Sequence, residues 1–196
     1  KVIMSTGMSS LKEIKDAVRI FSRIKKKKNL SLLHCVSAYP TNPKSINLQT
    51  ISYLKKKFNC PIGFSDHTTS IIVPSLAVAF GAKIIEKHFT YDKNLIGPDH
   101  FMSLNEKELR QMVENIRITE QAKGKFGKFI IEDEVKNIKA ARKSIFANKK
   151  IVKGEVFTKK NIIIKRPAIG ISPKYYEKLI GKKAKRNFEE DDKIIL

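Results

Sequence analysis

The stretch GFSDHTTSIIVPSLAVAFGAKIIEKHFT, residues 63–90, has the pattern of two buried strands with a helix between them. The segments CPIGFS at 60–65 and AKIIEKHF at 82–89 are short apolar runs, as buried strands are. Between them, residues 71–81 are apolar over a length that favours a helix, and Gly81 is a suitable end for it. This order of strand, helix and strand predicts a parallel βαβ unit.

The same alternation extends over residues 2–122. Further strands are predicted at VIMS, 2–5, and LSLLHCV, 30–36. Helices are predicted where apolar residues recur on one face: Leu11, Ile14, Val18, Phe21 and Ile24; Leu48, Ile51, Leu54 and Phe58; Leu109, Met112, Val113 and Ile116. Two capping boxes, Ser10 with Glu13 and Asn105 with Glu108, mark helix starts. Four strand-helix units make half of an eight-stranded barrel or most of a small open sheet.

The pattern changes after residue 124. Residues 125–142 lose the period and become charged, which predicts a linker with one short helix around Val135 to Ala141. From residue 143 the apolar segments are short and separated by turn residues, which predicts a second, small domain of short strands. We therefore divide the chain into residues 1–124, a linker at 125–142, and a small domain at 143–196.

Composition indicates a globular protein of the cytoplasm. The 196 residues are 41% hydrophobic, which is enough to bury a sizeable core. The longest apolar run, 71–82, is too short to span a bilayer, and no signal-peptide pattern opens the chain. Two cysteines, Cys35 and Cys60, make no disulfide framework. The chain begins with Lys1 and runs straight into a strand, so we expect that its beginning is missing.

A net charge of +21 raises the question of nucleic-acid binding. The lysines, however, are scattered over every segment, and aromatic residues do not alternate with them. The run Lys25 to Lys28 falls at the end of a predicted helix, where cations suit the helix dipole. We therefore expect no nucleic-acid partner and no membrane partner, and only a general attraction for anionic substrates.

His67 and His88 lie 21 residues apart, one strand-helix-strand step, and each comes at the end of a predicted strand. The carboxyl ends of adjacent parallel strands lie close together, where barrels and open sheets bind ligands. Two imidazoles can share a divalent ion and leave positions open for water or substrate, which suits catalysis. The alternative is two hydrogen-bonded histidines at strand ends. His34, between apolar neighbours, is expected in the core or behind the site, and His100 in an exposed loop.

Other polar residues end the same four strands. They are Ser5 and Thr6, Ser37 and Tyr39, Ser65 and Asp66, and Glu86 and Lys87. Each one alone is an ordinary turn or helix-cap residue. Four successive strand ends with such groups predict an anion-binding rim, because hydroxyls and helix N-termini bind phosphate well.

Seven motifs, in this order, resemble the sialic acid (N-acetylneuraminate) synthases and their nonulosonic acid relatives: STGM, LLHCVSAYPT, GFSDHT, GAKIIEKHFT, GPDHFMSL, KRPAIGISP and LIGKKAKR. The resemblance covers nearly the whole chain. It implies an α/β fold, the C-terminal half (strands 5 to 8) of a TIM-type (β/α)8 barrel, followed by a small, mostly β, antifreeze-like SAF domain of the β-clip type. It also implies that phosphoenolpyruvate condenses with an N-acetylated aldose, giving a nine-carbon 2-keto acid and phosphate.

The resemblance further implies roles for single residues. His67 and His88 match metal ligands, with Mn²⁺ or another divalent ion such as Mg²⁺ expected, and together with Glu86 they match the catalytic centre. Substrate contacts are implied at Ser37 and Ser65 for phosphoenolpyruvate, Tyr39, Glu86 and Asp99 for the sugar, and Lys1 and Ser5 for phosphate. Arg166 matches an arginine that reaches the sugar's N-acyl group across a homodimer interface.

The chain departs from that family at its start, which aligns with the family's fifth strand. The family's first four strand-helix units, with a catalytic Glu and further phosphate ligands, have no counterpart here. The sugar stays open between N-acetylmannosamine and the di-N-acetylated hexoses that lead to legionaminic or pseudaminic acid. A non-catalytic binding or interaction protein, built on the SAF module with a relic half barrel, is the alternative from another class.

Overall fold

The computed structural model of the chain describes residues 1–24 and 29–195. These residues form two compact units, Lys1–Lys125 and Phe126–Leu196. The lysine run at 25–28, which the sequence places at a helix end, lies outside the described residues. The second unit begins close to the predicted start of the linker.

The first unit is built on a parallel sheet in the order β1-β2-β3-β4. Its strands are β1 (Val2–Ser5), β2 (Leu30–Cys35), β3 (Ile62–Asp66) and β4 (Ile85–Lys87). The register pairs Cys35 with Ser65 and Asp66 with Lys87. The predicted parallel βαβ arrangement is confirmed, and the carboxyl ends of all four strands share one edge of the sheet.

Helices follow each strand of this sheet. They are α1 (Leu11–Arg23), α2 (Gln49–Phe58), α3 (Val73–Ala79) and α4 (Glu106–Lys123), with short 3₁₀ helices at Pro43–Ser45 and His100–Met102. Both predicted capping boxes are present, Ser10 with Glu13 and Asn105 with Glu108. Among the described residues no helix is long and apolar enough to cross a membrane.

The core of the first unit lies between the sheet and these helices. Its buried apolar residues are Ile14, Val18, Leu30, Leu32, Ile46, Ile51, Leu54, Phe58, Ile62, Phe64, Val73, Ala77 and Ala82. Gly63 allows β3 its close neighbours, because a Cβ there would lie 2.6 Å from the carbonyl oxygen of Ile84. Two expectations were wrong: β4 is only three residues long instead of 82–89, and Val113 of α4 is exposed, with Met112 alone buried on that helix.

The second unit is a small structure of short elements. They are α5 (Glu132–Ala141), β5 (Ser144–Ala147), β6 (Ile162–Lys165), a 3₁₀ helix at Pro173–Tyr175 and α6 (Tyr176–Leu179). β5 pairs with β6 antiparallel, and isolated bridges join Phe146 to Lys193, Ile151 to Phe188 and Val156 to Lys183. Its core consists of Ile145, Ala147, Ile151, Phe157, Ile162, Leu179, Ala184, Phe188 and Ile194.

Candidate active site

His67 and His88 meet at the carboxyl edge of the sheet. They directly follow β3 and β4, and their ring centroids lie 5.4 Å apart in an edge-to-face arrangement. The ring of Tyr39, in the loop after β2, lies 4.2 Å from the ring of His67 and 6.0 Å from that of His88, centroid to centroid. The predicted convergence of these strand ends thus brings three of the predicted site residues together.

A backbone carbonyl fixes the tautomer of the His67 ring. Its Nδ1 lies 2.8 Å from the carbonyl oxygen of Val36, and a carbonyl can only accept, so Nδ1 carries the proton. The Nε2 lone pair is then available to a ligand, and a histidine that donates its other N–H to a carbonyl is the common arrangement of a metal ligand. The amide of Thr41 also donates to the His67 carbonyl at 2.9 Å. The loop after β2 therefore holds His67 at both its ring and its backbone.

His88 is less enclosed than His67. Its side chain is about one-third exposed, and its Nδ1 lies 3.8 Å from Oδ2 of Asp99, an ion pair only when the imidazole is protonated. The Leu104 amide donates to the His88 carbonyl at 3.0 Å. The contact between His88 and Asp99 places Asp99, another predicted site residue, beside the histidine pair.

Ser65 and Glu86 lie on the same two strands, each two residues before one of the histidines. They are register partners, and the Ser65 hydroxyl donates to Oε1 of Glu86 at 2.7 Å. Side chains on a strand alternate between faces, so Ser65 and Glu86 share a face with His67 and His88. Hydroxyl, carboxylate and imidazole groups thus line one face of the sheet at its carboxyl edge.

The loop after β1 comes close to the loop after β2. A Cβ on Gly7 would lie 2.3 Å from Oγ of Ser37 and 3.1 Å from Sγ of Cys35, so the absence of a side chain permits this approach. Ser5, at the end of β1, is exposed at the same edge. Lys1 precedes β1, about 13 Å from Ser5 at about 3.3 Å per strand residue, and is not brought to the group.

Arg166 belongs to the second unit. Its Nε donates to the carbonyl of Ala141 at 2.8 Å, and the residue is exposed. This contact ties the arginine to the end of α5 within its own unit.

Some polar residues have other positions than the sequence suggested. Asp66 and Lys87 do not line the rim: their buried side chains pair with each other at 2.8 Å. His100 is not simply exposed, because its Nδ1 lies 2.7 Å from Oγ1 of Thr90.

His34 is in the core as expected, with Nε2 2.6 Å from the Ile46 carbonyl. Burial lowers the pKa of His34 below its ordinary value of 6.5, although the hydrogen bond to Ile46 acts the other way.

Sequence reasoning missed two contacts of His67. One is the Val36 carbonyl, and the other is Cys35, whose Sγ lies 3.9 Å from the His67 Nδ1. Cys35 and Cys60 are not joined by a disulfide. The register of β2 against β3 would have placed Cys35 beside Ser65, but the turn that brings Val36 back to His67 has no sequence signal.

The two histidines are a chemically suitable pair for a divalent ion. Among residues 1–24 and 29–195, no group of three or more His, Cys, Asp or Glu side chains is placed to hold a metal. A two-imidazole site leaves the remaining positions to water or substrate. The fixed Nδ1 proton of His67 and the closeness of the two rings both fit such a site.

Comparison with known protein families places this geometry in context. Residues 1–128 match the model of the NeuB family, and residues 142–194 match that of the SAF domain. The chain belongs to the NeuB family, the sialic acid and nonulosonic acid synthases, and it carries a SAF domain. The expected α/β fold, a parallel half-barrel sheet followed by a SAF domain, is confirmed; the strand number of a complete barrel stays a prediction.

Three relatives illustrate the different acids for which members of the family are named. The N,N'-diacetyllegionaminic acid synthase of Campylobacter jejuni is 45% identical over 99% of this chain and 58% of its own length. A pseudaminic acid synthase of Campylobacter jejuni is 39% identical over 98% of this chain and 55% of its own. A crystal structure of the N-acetylneuraminic acid (sialic acid) synthetase of Leptospira borgpetersenii matches at 43% identity and a TM-score of 0.64, over 70% of this chain and 47% of that one. The chain thus spans little more than half the length of the two Campylobacter jejuni relatives.

Proposed function

We propose that this chain serves nonulosonic acid synthesis, in which phosphoenolpyruvate condenses with an N-acetylated aldose to give a nine-carbon 2-keto acid and phosphate. The observation that carries the proposal is the meeting of His67 and His88 beside the Ser65–Glu86 pair. It stands in a chain whose relatives are named for making legionaminic, pseudaminic and sialic acids. A relic half barrel would not need these side chains to converge, so their convergence favours the enzyme over a non-catalytic interaction protein.

A divalent ion, Mn²⁺ or Mg²⁺, would be held by His67 and His88. When bound, such an ion acts as a Lewis acid on a carbonyl oxygen and orients the aldehyde. The chain's own contribution is to hold the Nδ1–H of His67 in a hydrogen bond that it donates to the Val36 carbonyl, so that Nε2 keeps its lone pair for a ligand.

Glu86 is the chain's own acid-base group in this proposal. Its Oε1 accepts the Ser65 hydroxyl, which orients the carboxylate and leaves its second oxygen to face a sugar hydroxyl. Ser37 and Ser65 are assigned to phosphoenolpyruvate, and Ser5, at the carboxyl end of β1, is assigned to its phosphate. Tyr39 and Asp99, which flank the two histidines, contact the sugar.

The metal assignment is tested with His67→Ala and His88→Ala, and with His100→Ala as a control histidine outside the pair. Mn²⁺ affinity, measured from the electron paramagnetic resonance signal of the free ion, should fall by at least about tenfold in the first two, because even residues that only support a ligand change affinity by about 10–100-fold. His100→Ala should titrate as the parent chain does. Unchanged titration in both paired variants rejects the metal site.

The substrate is tested by supplying the remaining barrel strands. The chain is mixed with, or joined to, the N-terminal half of the Campylobacter jejuni legionaminic acid synthase. Phosphate release is then followed with phosphoenolpyruvate and either N-acetylmannosamine or a di-N-acetylated hexose. Release that depends on both substrates and on Glu86 supports the proposal, and release that survives Glu86→Gln undiminished contradicts the role of that carboxylate.

Arg166 is proposed to act from the SAF domain on the barrel of the other protomer in a homodimer. A planar guanidinium has a fork of donors that suits an amide or carboxylate oxygen. Arg166→Ala in the joined enzyme should raise KM for the sugar and leave KM for phosphoenolpyruvate nearly unchanged. Equal increases in both constants would contradict the assignment.

A further inference from the structure

A buried ion pair lies directly behind the two histidines. Asp66 and Lys87, the residues before His67 and His88, are the last register partners of β3 and β4. Lys87 Nζ lies 2.8 Å from Asp66 Oδ2, and the two side chains are 3% and 0% exposed. Because neighbours on a strand point to opposite faces, this pair lies on the face opposite Ser65 and Glu86.

Thr68 closes the pair into a three-residue network. Its amide donates to Asp66 Oδ1 at 2.9 Å, and its hydroxyl donates to Asp66 Oδ2 at 3.1 Å. Lys87 Nζ also donates to the Thr68 carbonyl. The residues on both sides of His67 are thus bound to the residue that precedes His88. We call Asp66, Thr68 and Lys87 the bracket.

The bracket is poorly explained as a device for stability. Two charges lose their hydration when they are buried, and an apolar pair of similar volume is often as stable or more so. Buried ionic or polar groups are better attested as determinants of register. Here register matters, because a slip of one residue between β3 and β4 would turn His88 to the other face of the sheet.

β4 has few other means of holding its register. It is three residues long, and its ladder with β3 consists of Phe64 with Ile85, Ser65 with Glu86, and Asp66 with Lys87. Of these pairs, the first is apolar and the second belongs to the candidate site. The bracket is therefore the contact on the far face that fixes the end of β4 against β3.

We propose that the bracket positions His67 and His88 relative to each other and so sets the affinity of the pair for a divalent ion. This inference rests on the metal site proposed above. Asp66, Thr68 and Lys87 are positioning residues that act through the backbone of the two histidines, without contact to the ion or the substrates.

The test compares variants of the full 196-residue chain. Asp66→Asn and Lys87→Met remove one charge each at nearly constant size, and Lys87→Arg keeps the charge. Lys93→Met is the matched control, because it breaks another cross-element ion pair of the same unit, Lys93 with Glu108 at 2.6 Å. Two readouts are used: Mn²⁺ affinity, and the contact between the His67 and His88 rings in the metal-free chain by ¹⁵N-histidine NMR, in solution or on sedimented protein.

We expect Asp66→Asn and Lys87→Met to weaken Mn²⁺ binding about 10–100-fold, as the loss of residues that support metal ligands does. The ring contact should weaken in the same variants without metal. Lys87→Arg and Lys93→Met should stay within about threefold of the parent, well below the effect of losing such a residue. A folded Lys87→Met chain with parental affinity and parental ring contact overturns the proposal.

Two further arms keep the outcomes distinct. If Lys87→Met or Asp66→Asn does not fold, Thr68→Val decides, because it removes a hydroxyl donor and keeps both charges; parental affinity and ring contact in this variant overturn the proposal. If His67→Ala binds Mn²⁺ as the parent does, the metal site itself is wrong. The ring contact in the metal-free variants then still decides whether the bracket positions the histidines.

Discussion

The two units differ in how their strand edges are used. In the second unit, β5 and β6 pair with each other, and bridges such as Ile151 to Phe188 join the remaining segments. In the first unit, β1 and β4 are the outer strands of the sheet that the described residues form. Val2 and Ile3 of β1 are 42% and 55% exposed. The strands of the small unit therefore find their backbone hydrogen-bond partners within that unit, whereas the sheet of the first unit presents edges that other strands can extend.

The strongest test of this difference separates the units. Residues 126–196 expressed alone should be monomeric and melt cooperatively, because their core is closed. Residues 1–125 alone should aggregate or form non-native dimers, because open sheet edges and exposed apolar residues associate. Size-exclusion chromatography with thermal denaturation measures both. A monomeric 1–125 fragment with a sharp melt would erase the contrast.

The 196-residue chain alone should also show no synthase turnover. The resemblance assigns a Glu and further phosphate ligands to strands that have no counterpart in this sequence. Phosphate release is expected only in the mixture with the N-terminal half of a relative. Turnover by the chain without that half would contradict the proposed division of the catalytic residues.

A substitution that leaves a cavity in the core of the second unit should destabilise that unit and not the first. Phe188 is 1% exposed and stacks obliquely on Phe157 with ring centroids 6.0 Å apart. Phe188→Ala should lower the free energy of unfolding of residues 126–196 by about 3–5 kcal/mol, as Phe to Ala changes in cores do. Tyr175→Ala, at a residue 42% exposed, is the control. Urea denaturation measures the free energy of unfolding of both variants. Equal losses in the two would show that the core is not where the structure places it.

A charge on the open strand edge of the first unit should reduce the aggregation of the chain and hardly change its free energy of unfolding. Ile3→Lys places a cation on β1, a means by which natural sheets block edge-to-edge pairing. The aggregated fraction of the chain should fall, while the unfolding free energy changes within about 0.5 kcal/mol, as for most surface substitutions. Ile20→Lys, on the exposed side of α1, should leave association unchanged. Light scattering compares the two.

The smallest expected effect is a pH dependence from His34. Burial lowers its folded-state pKa below the ordinary 6.5, so below that pH the unfolded chain binds the proton more readily. The contribution to stability is complete above pH 6.5 and is lost as the pH falls from there through the folded-state pKa. His34→Gln, which can still donate to the Ile46 carbonyl, should have a shallower decline. Urea titrations at a series of pH values measure it, and parallel curves would contradict the assignment.

Much of the first unit could be predicted from the sequence. Helix faces, capping boxes and the parallel strand order depend on local periodicity and caps, which the sequence displays directly. The ends of β4 could not be predicted, because the apolar run 82–89 does not show which residues find a partner strand. The exposure of Val113 could not be predicted either, because the apolar pattern of α4 does not show which part of its apolar face has a packing partner.

The site was predictable as far as strand order determines it. His67 and His88 follow adjacent strands, and that is enough to expect them to meet. Asp66 and Lys87 are neighbours of the histidines in sequence, but successive side chains on a strand point to opposite faces, so these two residues lie away from the rim and pair with each other. The hydrogen bond from His67 to Val36 depends on the path of one loop, which composition does not encode.

The strand order β1-β2-β3-β4 also follows the order of synthesis. Among these four strands, each of the later ones emerges from the ribosome directly after a strand with which it pairs. His67 and His88 are 21 residues apart, so at roughly 5–20 residues per second the second imidazole follows the first by only about one to four seconds. The nascent chain carries half of the histidine pair for that short interval, and the pair is completed when β4 joins β3.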